Sequence, residues 1–528
     1  MFAVVYFIAE KLLKLLKSSP QIRATVLTTL PNLVQAYFAS LGDFYTWELS
    51  KKVFGKRSNT AWVVLMMSVL SPWQWFFSTR TFSNSLEMCL TIIALNFWPW
   101  ELISNPELHQ NCRDTSEEIS EIIDTGVMLD AKSIKKSRIC LFLAGTACIL
   151  RPTNLLIWFS LTIPQVNVLL AKIPRLFIGK ICPIFLVEGL KCVSLLLILS
   201  AISDRIYYHT WIFPPYNWLH FNIAQDLAIF YGANNWHFYF TQGLPQLLVT
   251  YLPFTLIGLC NALVMPPNDI RFILTVTVMV TVGSLSLISH KEVRFIYPIL
   301  PLILIITAPI VTKFFTNSDP LARKTVRSNS QNRSLQHRFL LIISIVLNVI
   351  LAIYITTVHQ SGVIAILPHL RKSYEDSYLT DDGSSLLPKP INNKTTPYVA
   401  FIMPCHSTPY RSALIHPNLK AWALTCSPPL HIPPYTVERL NYRDEADRFY
   451  DNPVEFLQRE VGRKGREWPL FIVGFEGIEN VLRQVWESVD EKRGNKLKER
   501  KRIFNSHWHD DLRRKGDVIL WELVRGSD

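Results

Sequence analysis

A mainly α-helical, membrane-spanning fold with a small α/β domain at its C-terminal end is predicted by three observations. Apolar residues make up 49% of the 528-residue chain, and its mean hydropathy is +0.20. Several uninterrupted apolar runs approach the roughly 20 residues a helix needs to cross a bilayer. After about residue 360 those runs cease, prolines multiply, and alternating strand and helix signals take over.

Taken in order, Met1 to Leu16 is an amphipathic pattern with Lys11, Lys14 and Lys17 on one side, which predicts an interfacial helix or a short span within a 1–24 segment. The start lacks a basic n-region and a small-residue cleavage site, so a cleavable leader is not expected. A polytopic region over 25–359 follows, with spans predicted at 25–48, 60–78, 84–100, 138–150, 153–171, 181–202, 243–265, 271–289, 294–315 and 338–359. The 138–150 and 153–171 pieces can also be read as one broken hairpin.

Short cytosolic loops carry excess positive charge. Placing the basic loops 51–57, 132–138, 172–180 and 313–338 in the cytosol gives one consistent alternation. Residues 79–84, 151–153, 203–243, 290–294 and the tail after 359 then share the opposite face. Those loops and a basic stretch at Lys492 to Arg502 account for most of the net charge of +13, so nucleic acid is not called for as a partner. The nine cysteines show no CxxC spacing. Cys405 and Cys426 fall in the non-cytosolic tail. In an oxidising compartment they can close a loop of about 20 residues and stabilise it by about 3 kcal/mol, or they remain free.

In that tail, 360–528, strands are expected over 397–403, 469–473 and 518–523, with a helix over Glu476 to Val489, which gives a small α/β domain. His507-Trp508-His509-Asp510-Asp511 reads as a loop between strands, because no third well-spaced metal ligand accompanies it. Asp381-Asp382-Gly383 reads as a turn. Asn393-Lys394-Thr395 is a glycosylation acceptor on the non-cytosolic side, whereas Asn332-Arg333-Ser334 falls in a cytosolic loop.

Function is carried by the loops. His290-Lys291-Glu292-Val293-Arg294-Phe295 places four ionisable side chains within five positions between two apolar runs. Such groups are expensive at a membrane boundary and by default mark a site. Lys291 and Arg294 suit a phosphate, Glu292 can hold one of them, and His290 can donate or simply satisfy a local hydrogen bond. Around Thr79-Arg80-Thr81, Arg80 can contact phosphate, snorkel, or pair with Glu87. Arg151-Pro152-Thr153 reads as a Pro-broken hairpin with a boundary arginine. The loop from Asp204 to Gly243 is rich in Tyr, Trp, His, Asn and Gln, which either bind a carbohydrate or form an interfacial aromatic belt; Trp236, His237, Tyr239 and Gln242 are its candidates for a sugar site.

With these residues in view, the chain resembles the dolichyl-phosphate-mannose-dependent mannosyltransferases of the endoplasmic reticulum, a family marked by a His-Lys-Glu-x-Arg-Phe motif, here His290, Lys291, Glu292, Arg294 and Phe295. Thr79-Arg80-Thr81 with Asn84 and Glu87, Arg151-Pro152-Thr153, Phe213-Pro214-Pro215-Tyr216-Asn217, Tyr231-Gly232 with Trp236-His237, and Thr241-Gln242-Gly243-Leu244-Pro245 resemble its members acting on the glycosylphosphatidylinositol (GPI) precursor. Pro404-Cys405-His406-Ser407-Thr408-Pro409-Tyr410 is similar to the fungal ones. The individual tripeptides are weak signals; their order and spacing, over nearly the whole chain, are specific.

The resemblance implies a C-type glycosyltransferase fold, a multi-pass membrane enzyme with a lumenal C-terminal domain, and transfer of a third mannose in α1,2 linkage from dolichyl-phosphate-mannose to the GPI precursor glycolipid. It assigns donor binding to His290, Lys291, Glu292 and Arg294, with Arg80 as a helper, and names no protein partner. The donor's leaving group carries one phosphate, so neither a metal nor another cofactor is expected.

Inverting transfer needs a carboxylate to take the acceptor's proton while cations stabilise the departing phosphate. In the family that carboxylate is an Asp in an acidic first lumenal loop preceded by a further span. The resemblance puts this loop outside the present residues, and Thr46-Trp47-Glu48 is only an echo of another loop tripeptide. Glu292 and Asp204 are the carboxylates left to consider. The alternatives are an inactive scaffold or donor-binding subunit and, further off, a lipid transporter, for which internal repeats and ionisable residues within spans are expected.

Overall fold

The computed structural model describes residues 2–104, 131–317, 334–381, 386–388, 398–434, 436–461, 469–490, 496–509 and 511–524. Asn332, Asn393, Asp382, Gly383 and Asp510 lie outside the described residues. The chain divides into two compact units, Met1–Leu33 with Ile353–Asp528, and Val34–Ala352.

The helices up to residue 353 include α1 (Phe2–Leu15), α2 (Pro20–Phe54), α3 (Asn59–Val69), α4 (Pro72–Ser78), α5 (Ser83–Phe97), α6 (Ala131–Leu150), α7 (Leu155–Lys172), α8 (Cys182–Tyr208), α9 (Leu252–Leu263), α10 (Ile270–Ser286), α11 (Leu300–Phe315) and α12 (Arg338–Ile353). Among the described residues, five helical stretches are long and apolar enough to cross a membrane: Pro152–Lys172, Phe177–Tyr208, Tyr239–Leu263, Tyr297–Phe315 and Arg338–Tyr378.

The span expected at 60–78 is two helices. Pro72 has no N–H to continue α3, so it takes the first position of α4, where Ser71 caps Gln74 N at 3.4 Å. Likewise α6 and α7 are separate helices, joined by a single turn at Pro152–Asn154.

In the Val34–Ala352 unit the central element is α11, whose Leu300, Ile303, Leu304, Ile305 and Ile306 are buried. It packs on α9 through small residues: Thr255 and Thr307 hydroxyls lie 2.8 Å apart, and a Cβ on Gly258 would stand 2.8 Å from the Ile306 carbonyl oxygen. Close backbone approach of this kind is how apolar helices gain packing in a lipid solvent.

The other unit contains a five-stranded sheet of β1 (Tyr398–Ile402), β2 (Lys420–Ala423), β3 (Phe471–Phe475), β4 (Lys496–Ile503) and β5 (Val518–Val524), in the order β2-β1-β3-β5-β4. The β2-β1-β3 part is parallel, while β5 runs antiparallel to β3 and to β4. Both faces are covered, as the unbroken apolar runs of β1 and β3 demand. Val399, Phe401, Phe471, Val473 and Leu520 pack with Ile366 and Leu370 of Gly362–Tyr378. Ala400, Ile402, Ile472, Ile519 and Trp521 pack with Leu482, Val485 and Trp486 of Glu479–Asp490.

Residues 496–502 of the basic stretch lie in the edge strand β4, with Arg500 paired to Glu522 and Arg502 reaching Glu479 at 2.7 Å and Glu499 at 2.8 Å. Charged side chains on an edge oppose pairing with another chain. Cys405 and Cys426 are joined as a disulfide, their Cα atoms 6.0 Å apart.

Candidate active site

Between α10 and α11 the chain makes two 3-10 turns, Val293–Phe295 and Tyr297–Ile299, with Pro298 and Pro301 in the second positions of the second turn and of α11. This compact loop is clamped to the segment around Asn234. Lys291 is buried and its ammonium donates to the Asn234 carbonyl oxygen at 2.7 Å. The Asn234 side-chain amide returns a bond to the Lys291 carbonyl at 2.9 Å, and Asn234 N donates to Ser289 O at 3.0 Å.

The same segment holds His290, whose Nδ1 lies 2.8 Å from Gly232 O and Nε2 3.0 Å from Glu292 Oε1. Both partners are acceptors, so the geometry suits the imidazolium form, in which both ring nitrogens donate. The Glu292 carboxylate accordingly pulls the His290 proton affinity above its ordinary value. Burial alone pushes Glu292 upward, but hydrogen bonds from His290 and Arg294 hold it below the usual carboxylate range. Arg294 forks onto Glu292, at 2.7 Å to Oε1 and 2.5 Å to Oε2. Burial pushes Lys291 down.

A second cation stands beside this loop. The Arg151 guanidinium lies 5.3 Å from the centre of the Phe295 ring, and that of Arg294 lies 5.9 Å from it. Arg294 also faces Phe82 at 5.7 Å. Arg151 is held by Glu87 at 3.1 Å and by Ser83 Oγ at 3.3 Å. Behind it, Asn154 donates to Glu87 at 3.0 Å and to Thr91 at 2.9 Å, while Trp158 Nε1 donates to Asn154 at 2.7 Å.

Glu87 therefore pairs with Arg151 and not with Arg80. Arg80 folds back onto the preceding helix α4, 3.7 Å from the Phe76 ring centre, and donates to Phe76 O at 2.8 Å. Reading Arg151 as a mere boundary residue missed this pairing, as it missed Asn154 and Asn234. The available signal was Glu87, a carboxylate early in an apolar helix, on the same predicted side of the membrane as Arg151.

Trp236 and Gln242 are exposed and His237 is half-buried, with His237 Nδ1 3.3 Å from Thr241 Oγ1. Tyr239 differs. It is fully buried beneath the loop, so it offers no face to a sugar. Asp204 accepts from Ser200 Oγ at 3.2 Å on its own helix. Both oxygens of Glu292 are committed to cations, which makes it an orienting carboxylate and a poor proton acceptor.

A bundle of apolar helices that gathers paired cations and exposed aromatic side chains on its loops, with an α/β domain following, has the C-type glycosyltransferase fold. The crystal structure of ArnT from Cupriavidus metallidurans bound to undecaprenyl phosphate superposes with a TM-score of 0.52 at 11% identity, over 93% of this chain and 83% of that one. The chain belongs to the Alg9-like mannosyltransferase family, whose profile matches residues 1–415. It is 39% identical to GPI mannosyltransferase 3 of Gibberella zeae, over 99% of this chain and 84% of that protein. It is likewise 39% identical to GPI mannosyltransferase 3 of Aspergillus fumigatus, over 99% of this chain and 69% of that protein. The counterpart from Debaryomyces hansenii is 35% identical over 93% of this chain and 77% of its own length.

Proposed function

We propose that this polytopic mannosyltransferase moves mannose from dolichyl-phosphate-mannose to the GPI precursor, adding the third mannose in α1,2 linkage on the lumenal side of the endoplasmic reticulum membrane. The observation that carries the reading is the pair of guanidiniums, Arg151 and Arg294, flanking Phe295 and each held by its own carboxylate. Preorganised cations of this kind stabilise the charge that develops on a departing phosphate.

In this reading Glu292 orients Arg294, while Lys291 and His290 fix the loop. Trp236, His237 and Gln242 meet the acceptor sugar, beside the Asn234 clamp. The relatives named GPI mannosyltransferase 3 support a GPI glycolipid as the acceptor. The test is transfer in microsomes from cells lacking their own third GPI mannosyltransferase, supplied with radiolabelled dolichyl-phosphate-mannose and a precursor bearing two mannoses. A three-mannose product whose last sugar is released by α1,2-mannosidase is expected. Its absence, with the protein present and folded, overturns the proposal.

A further inference from the structure

Asp43 stands inside α2, in an apolar stretch where an ionisable side chain is expensive to hold without partners. Its Oδ1 accepts from Ser68 Oγ at 2.6 Å and from Gln74 Nε2 at 2.9 Å. A carboxylate only accepts, so Gln74 must turn its NH2 toward Asp43 and its carbonyl oxygen away. That oxygen receives the Tyr297 hydroxyl at 2.5 Å. Gln74 is 4% exposed and Tyr297 1%, so water does not compete for these bonds. A flipped amide would set oxygen against oxygen at Asp43, so the chain of bonds has one direction. Tyr297 also stacks on Phe77, ring centres 4.3 Å apart, and it stands three residues beyond Arg294, where the loop enters α11.

We propose that Asp43 is a positioning residue for the loop carrying Arg294. Through Gln74 and Tyr297 it fixes where α11 begins, and thereby where Arg294 stands relative to Arg151. The inference rests on the donor-binding role given to that loop, and Asp43 itself touches no substrate.

Gln74→Leu and Tyr297→Phe each cut the relay. Each is expected to raise the KM for the lipid-linked donor about tenfold, the loss appropriate to one buried hydrogen bond, with the acceptor KM unchanged. Their combination should be no worse than either alone. Gln74→Glu sets two carboxylates face to face and should be the most impaired. Adding Asp43→Asn to it restores an amide-to-carboxylate contact with the charge moved one residue along, and should recover the donor KM.

A purely structural role predicts less active enzyme at unchanged donor KM and no recovery in the exchanged pair; that result overturns the relay. Amide hydrogen exchange over residues 291–296 reads the same contacts without catalysis. Gln74→Leu should accelerate it and the exchanged pair should slow it again, even if the wild-type protein transfers no mannose and the functional reading fails. Unchanged exchange in Gln74→Leu would refute the inference.

Discussion

The Lys291 ammonium and the Asn234 carbonyl oxygen are 2.7 Å apart, and the Asn234 amide answers with a 2.9 Å bond to the Lys291 carbonyl. Two loops 57 residues apart in sequence are thereby closed by a reciprocal clamp, and a lysine that charge alone would give to a phosphate is committed to holding the loop.

Asn234→Ala should loosen the loop by about 1–3 kcal/mol, the penalty of leaving buried polar partners unpaired. Lys291→Met should remove the other half of the clamp, the ammonium's bond to the Asn234 carbonyl. In steady-state assays each variant should raise the donor KM, and the double variant, which loses both bonds, should be worse than either alone. A double variant no worse than Lys291→Met would mean that the Asn234 amide bond adds nothing to the clamp.

The His290–Glu292 pair sets a pH dependence. His290 is held above its ordinary value of 6.5, so its contribution is complete below that value and is lost as the pH rises through the raised one. Glu292 is held below its ordinary 4.5, so its contribution is present above that value and is lost as the pH falls. Donor affinity should therefore be greatest between about 4.5 and 6.5 and decline on the alkaline side. Glu292→Gln should move the alkaline decline to lower pH. A donor-KM profile whose alkaline limb is the same in both proteins would contradict the pairing.

Glu87 and Arg151 form a largely buried ion pair. Removing the charge with Glu87→Gln leaves a guanidinium unmatched and should destabilise by about 3–5 kcal/mol, measured by thermal inactivation in detergent. Arg151→Lys should not substitute, because Glu87 and Ser83 are met by different nitrogens of one planar fork. Wild-type activity in the lysine variant would count against a role for Arg151 at the site.

The sequence makes the cluster at 290–294 visible because four charged or ionisable groups interrupt apolar runs, and the order of helices follows from those same runs. Composition does not reveal partners. Arg151 and Glu87 are 64 positions apart and meet only through tertiary packing, and Asn234 is one neutral amide among many. Asp43 is overlooked because a single carboxylate barely lowers the hydropathy of α2. Tyr239 is an aromatic residue like Trp236, and only burial separates a core side chain from an exposed one. The edge strand β4 is hidden by its lysines and arginines, which suit an edge and disguise a strand.

The Cys405–Cys426 bond has a position that gives it leverage. Cys405 follows β1 by three residues and Cys426 follows β2 by three, so the disulfide ties together the exits of two adjacent parallel strands. Arg514 adds a hydrogen bond to Cys405 O at 3.3 Å, close to the start of β5. A cross-link spanning 21 positions should contribute about 3 kcal/mol, chiefly by restricting the unfolded chain. Cys405→Ser and Cys426→Ser should each lower the unfolding temperature of the C-terminal region, the double variant no further, and dithiothreitol should reproduce the shift in the wild-type protein alone. Because a disulfide persists only in an oxidising compartment, alkylation of unreduced protein from cells also reports topology. Protection of both cysteines fits a lumenal tail, whereas labelling of both in freshly lysed cells would place that tail in the cytosol and overturn the orientation.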